Sequence, residues 1–93
     1  MAMFMTRVEL HDATRNDYTE LHGAMQKQGF RLSIIGGDGV TYALPPAEYW
    51  YDGTISRSDV LKKAKTAAGS VKRSYAAVVT EAVGSIWCGL KVA

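Results

Sequence analysis

A single cysteine, Cys88, stands among 93 residues, so no disulfide can close within the chain. One thiol and two scattered histidines also make a poor metal-ligand set by spacing. A reducing cytoplasm is the expected setting. No apolar run comes near the roughly 20 residues that span a bilayer. The opening MAMFMTRVEL lacks a basic segment followed by an apolar one, so neither a signal peptide nor a membrane partner is expected. Charge of one sign is not in large excess: the net charge of +2 is too small to mark a nucleic-acid binder. Proline is scarce. Pro45 and Pro46 are the only two, and a strand that reaches them should stop, since neither donates to a ladder.

What is present is an ordinary globular composition, 47% hydrophobic and 22% charged, which argues against disorder. The length suggests one domain over residues 1–93. The charges are unevenly spread. Residues 57–73 hold six bases against Asp59 alone, a net +5, whereas 38–52 hold three acids and no base, a net −3. Such polarity steers partners more than it sets folds.

Along the chain, Phe4, Thr6, Val8 and Leu10 alternate with Met5, Arg7 and Glu9, the period of a strand with one face buried. A helix should follow HDATRND, with Asn16 as the preferred N-cap and Thr14 as the other candidate. Asp17 and Glu20 are placed in its first turn. Tyr18, Leu21 and Met25 form its apolar stripe, with His22 at the boundary, and Gly29 suits the position after its end. Phe30–Ile35 and Val40–Leu44 read as strands joined by the turn Gly36-Gly37-Asp38-Gly39. The glycines there precede no helix, so they are turn chemistry and not a phosphate loop. The second helix starts at Ser56 as N-cap, with Asp59 three residues on and Ile55 and Val60 spaced as a staple. Val60, Leu61, Ala64, Ala67 and Ala68 share its inner face and Gly69 ends it. Lys72–Glu81 reads as a central strand, because Tyr75–Thr80 is apolar and β-branched. Ser85–Val92 is either a short fifth strand or a packed tail.

The order β-α-β-β-α-β predicts an α+β, ferredoxin-like fold: a four-stranded antiparallel sheet with two helices on one face and an optional fifth strand. Residues 44–53, LPPAEYWYDG, fall between the third strand and the second helix. Tyr49 and Tyr51 point one way and Trp50 the other. They either pack against the sheet end or a dimer partner, or form a platform for unpaired bases. Glu48 and Asp52 weigh against bases. Convergent polar groups for a small ligand are not evident there.

Chemistry has one promising place, the end of the first strand. Glu9, His11, Asp12 and Asp17 cluster within nine residues. A carboxylate there can hold a hydrated divalent cation, and His11 can exchange protons near neutral pH. The competing reading is a solvated loop plus the carboxylates of a helix start. Lys62, Lys63 and Lys65 suit either a solvated helix face or phosphate contacts, and Lys72 and Arg73 extend that patch. Cys88 beside Trp87 reads as a small buried hydrophobe.

The stretches TRVELHDATRNDYTELHGAMQKQGF, DGVTYALPPAEYWYDG and SRSDVLKKAKTAAGS resemble the endoribonuclease antitoxins of type V toxin–antitoxin systems. These are small bacterial proteins similar to the ferredoxin-like nucleases of CRISPR systems. The resemblance implies a dimeric, metal-assisted or acid–base ribonuclease that cuts a toxin's messenger RNA. It implies Asp12 as the key carboxylate and ligand of a divalent ion such as magnesium, with Glu9 as second choice and His11 nearby. Arg15, Lys62, Lys63, Lys65, Lys72 and Arg73 are the expected contacts to single-stranded RNA. The alternative is a non-catalytic, homodimeric protein-interaction module of phage or plasmid origin.

Overall fold

The computed structural model describes residues 1–93. Their order is β1 (Ala2–Leu10), α1 (Arg15–Lys27), β2 (Ser33–Ile35), β3 (Thr41–Ala43), β4 (Glu48–Gly53), α2 (Arg57–Gly69) and β5 (Tyr75–Ala82). The fold is α+β. β1 runs down the middle of a three-stranded antiparallel sheet, flanked by β4 and β5, and β2 and β3 form a separate hairpin.

Alternation in β1 sets the layers. Phe4, Thr6, Val8 and Leu10 are buried on one face, because successive strand residues point to opposite sides. Tyr49 and Tyr51 join them from β4, opposite Thr6 and Phe4. Leu21 and Met25 of α1 and Val60, Ala64, Ala67 and Ala68 of α2 close over that face as one cluster, so both helices lie on the same side. The alanines let α2 lie close to the sheet.

Four expectations about the strands and helices need correction. The four-stranded sheet does not form. Of Phe30–Ile35 only Ser33–Ile35 is strand, and it pairs with β3. Within Phe30–Ile35 only Arg31 bonds to β4 through its backbone, exchanging both hydrogen bonds with Trp50 at 2.7 and 2.8 Å. The missing strand is instead β4. It begins two residues after the prolines, because Ala47 takes a left-handed φ of 72° and the Glu48 N–H donates to the Pro45 carbonyl at 3.2 Å, turning the chain back. Pro45-Pro46 therefore ends one strand and introduces another. Second, β5 is an edge strand, with β1 as its only neighbour. Third, the α1 cap is Thr14, not Asn16. Its hydroxyl accepts from the Asp17 N–H and its own N–H donates to Asp17, a reciprocal capping box. Glu20 lies beyond that first turn. Finally, Gly69 stays helical and Ser70 caps α2.

Other expectations hold. Ser56 caps α2, accepting from the Asp59 N–H at 3.1 Å. Gly29 follows α1 with φ +92°, and a Cβ there would sit 3.2 Å from the Tyr51 ring, so glycine is needed for both conformation and space. The hairpin turn is fixed by Asp38, which accepts from the Val40 N–H and the Tyr42 hydroxyl. Residues 85–93 form no strand. They pack as a tail on β3, with Val92 bridged to Tyr42 and Trp87 edge-on to Tyr42. Cys88, expected to be buried, is exposed. No helix is long and apolar enough to cross a membrane.

Candidate functional site

Arg7 and Glu9 follow one another on the face of β1 that the helices do not cover, and His11 lies just past the strand end. The chain turns immediately past β1, and the antiparallel register with β5 carries Ser74 to the side of His11, whose N–H donates to the Ser74 carbonyl at 3.1 Å. The side chains meet as well. His11 Nδ1 lies 2.7 Å from Ser74 Oγ, and His11 Nε2 lies 3.4 Å from Glu9 Oε1. An acid, an imidazole and a hydroxyl are thus in line at the sheet end, open to solvent.

Asp12 does not join them. It occupies the turn with φ 52°, a conformation aspartate tolerates better than most residues, and its side chain is exposed. No three histidine, cysteine or carboxylate side chains come together as a metal-ligand group, so a cation at Asp12 would have water for most of its shell. Asp17 has a structural task. The Thr14 backbone N–H holds its carboxyl below the usual carboxylate range, helped by the Lys72 ammonium at 3.3 Å.

The six expected RNA contacts divide into groups. Arg15 opens α1, and Lys72 and Arg73 sit in the α2–β5 loop, so these three share the His11 end of the fold. Lys62 and Lys65 are exposed on the outward side of α2, while Lys63 is partly buried, its ammonium 5.8 Å from the centre of the Tyr51 ring. The α2 lysines therefore stand on the helix layer, across the sheet from His11.

The aromatic run packs inward. Tyr49 is fully buried and Trp50 is 8% exposed, so no open platform for bases exists at either ring. Tyr49 and Tyr51 both meet Phe30, at 6.5 and 5.3 Å between centroids. Trp50 faces the other way, its indole N–H donating to Asp52 at 3.3 Å.

His22, read as a boundary residue, has a defined partner. Its Nδ1 lies 2.7 Å from the Tyr49 hydroxyl. Burial lowers the affinity of His22 for a proton and holds the Tyr49 hydroxyl protonated far above its ordinary range. A neutral phenol and a neutral imidazole therefore share this hydrogen bond at pH 7. A cavity of about 190 Å³ lies alongside, lined by His22, Leu32, Leu44 and Glu48 among others. Neither Ser74 nor Tyr49 carried a local sign of its role, since each meets its histidine only through the fold.

Comparison with family models, with curated proteins and with solved structures finds no match to this chain. The fold and the geometry of the sheet end therefore carry the functional argument.

Proposed function

We propose that the chain is a small RNA-targeting regulator that cleaves RNA by acid–base chemistry at His11. One observation carries this reading: the His11 ring has Ser74 on one nitrogen and Glu9 on the other. With Nδ1–H donating to Ser74 Oγ, Nε2 keeps its lone pair and is the basic atom. Glu9 then stabilises the imidazolium that forms. RNA supplies its own nucleophile. Removal of the 2′-hydroxyl proton lets O2′ bond to phosphorus, the phosphorus–O5′ bond breaks, and a proton from solvent completes the leaving hydroxyl. Arg7, on the same face two residues before Glu9 and 3.9 Å from Glu48, and Arg15 at the same end are the cations nearest to the phosphate, with Lys72 held by Asp17. In this reading the fold is ferredoxin-like, with its fourth strand reduced to the Arg31–Trp50 bridge.

The test is incubation of end-labelled single-stranded RNA with the chain, with and without magnesium. Cleavage should proceed without the metal and fall by about 10²-fold or more in His11→Ala, with Asp12→Ala close to wild type. Cleavage that requires magnesium and disappears in Asp12→Ala would replace the acid–base route by a metal-carboxylate one. If RNA is neither cut nor bound, the reading is overturned. The interaction module then takes its place, favoured by the bare face of β5, where Val78 is 62% exposed.

A further inference from the structure

β5 is unprotected in a way edge strands seldom are. It is eight residues long and reads YAAVVTEA. It contains no proline, no glycine and no base, and its register with β1 runs unbroken from Met3↔Ala82 to Leu10↔Tyr75, so no bulge turns it aside. Natural edges usually carry one of those devices to prevent pairing with another chain. No strand of this chain pairs with the outer side of β5.

The hydrogen bonding fixes what that outer side presents. The His11 N–H reaches the Ser74 carbonyl, so Ser74 and every second residue after it turn their backbone groups towards β1. In an antiparallel ladder the residues between them turn theirs away. The N–H and C=O groups of Tyr75, Ala77, Val79 and Glu81 therefore point outward and unpaired.

We propose that two copies of this chain join antiparallel along β5, with Ala77 on the two-fold axis, to make one continuous six-stranded sheet. This does not depend on the ribonuclease reading. A two-fold pairing must set outward residues opposite outward residues, which leaves only registers differing by steps of two. Centring on Ala77 places Arg73 opposite Glu81 of the second copy, twice. It also sets Tyr75 opposite Val79 and Ser74 opposite Thr80, an aromatic–branched pair and a hydroxyl pair, both favourable across strands. Arg73 is exposed and has no ion-pair partner within its own chain, and Glu81 has only Arg57, at 3.8 Å. Moving the axis to Val78 would put Glu81 opposite Tyr75 and leave Arg73 facing Val83, so both charge pairs are lost. The charges therefore select the register as well as the partner. Arg73 becomes an interface residue and not a phosphate ligand.

Sedimentation equilibrium of the full chain, between about 1 µM and about 1 mM, covers the affinity range expected of a small interface. A concentration-dependent dimer is expected for wild type. Arg73→Glu should weaken it roughly tenfold or more, because two symmetry-related pairs turn repulsive together. Arg73→Glu combined with Glu81→Arg should restore it to within about threefold of wild type. Val79→Pro removes an outward N–H together with a side chain only partly buried against the core, so the dimer should be lost while circular dichroism checks that the chain stays folded. A monomer throughout the range overturns the proposal. So does a dimer indifferent to Val79→Pro and Arg73→Glu, or a double exchange that fails to restore association while the chain remains folded.

Discussion

Strands β1 and β5 lie side by side along eight residue pairs, yet they differ in almost every physical respect. In β1 every second residue from Phe4 to Leu10 is buried, whereas no residue of β5 is. β5 is the more apolar of the two by sequence, and β1 carries Arg7 and Glu9. Burial follows from neighbours: β1 has a strand on each side and two helices over one face, while β5 has one strand and part of α2. A polar residue at alternate positions therefore marked the central strand, and an uninterrupted apolar run marked an edge that awaits company. In the single chain β5 leaves its apolar groups half-covered, and the proposed second copy would meet its open edge, whereas β1 satisfies its requirements internally.

The largest expected effect tests the dry side of this contrast. Tyr49 sits opposite Thr6 in the register, fully buried, with its hydroxyl on His22. Tyr49→Ala should destabilise the chain by about 3–5 kcal/mol through the cavity it leaves, read as the shift in urea midpoint. Against a total of roughly 5–15 kcal/mol for a domain, that variant is close to unfolded. A loss below about 1 kcal/mol would mean that the β1–β4 face is not the core.

Thr6 sharpens the same side with the opposite sign. Its hydroxyl is buried and has no hydrogen-bond partner, and a desolvated, unpaired hydroxyl costs about 1–3 kcal/mol. Thr6→Val keeps the branched shape and removes the hydroxyl. It should raise stability by about 1 kcal/mol, measured by the same denaturation. A loss of stability would show that the hydroxyl has a partner after all.

How much of this contrast could be read in advance depended on how local its cause was. The alternation of β1, the Ser56 cap, Gly29 and the Asp38 turn were legible, since each is decided by residues within a few positions. β4 was hidden because two prolines normally close a strand, and only the left-handed Ala47 lets the chain reverse and begin again. The misplacement of β5 has a similar origin: apolarity reports what could be buried, not what is. Glu9 and His11 were legible as members of one polar cluster at the end of the first strand. Ser74 lies 63 positions away from His11 and could be found only from the β1–β5 register. The Tyr49–His22 pair was missed for the same reason, a separation of 27 positions.

Acid provides a gentler probe of the buried side. His22 binds its proton less readily in the fold than at its ordinary value of 6.5, because burial disfavours the charged ring. Between the two values the unfolded chain holds the extra proton, so stability falls as pH drops below 6.5 and levels off once the folded ring also protonates. Denaturation midpoints at pH 7.5 and 5 should differ in that direction, and His22→Gln should reduce the difference.

The smallest expected effect belongs to β5 and completes the contrast. Val78 is the strand's most exposed large side chain, on the face without helices and opposite Arg7. Replacing it with threonine keeps a branched residue suited to a strand and removes apolar area that, in the single chain, is mostly wet already. At concentrations where the chain is monomeric, Val78→Thr should change stability by no more than about 0.5 kcal/mol in either direction, against the several kcal/mol of Tyr49→Ala. A cost of about 2 kcal/mol would show that Val78 is covered within its own chain. The open face would then be closed, and the difference between the two strands would disappear.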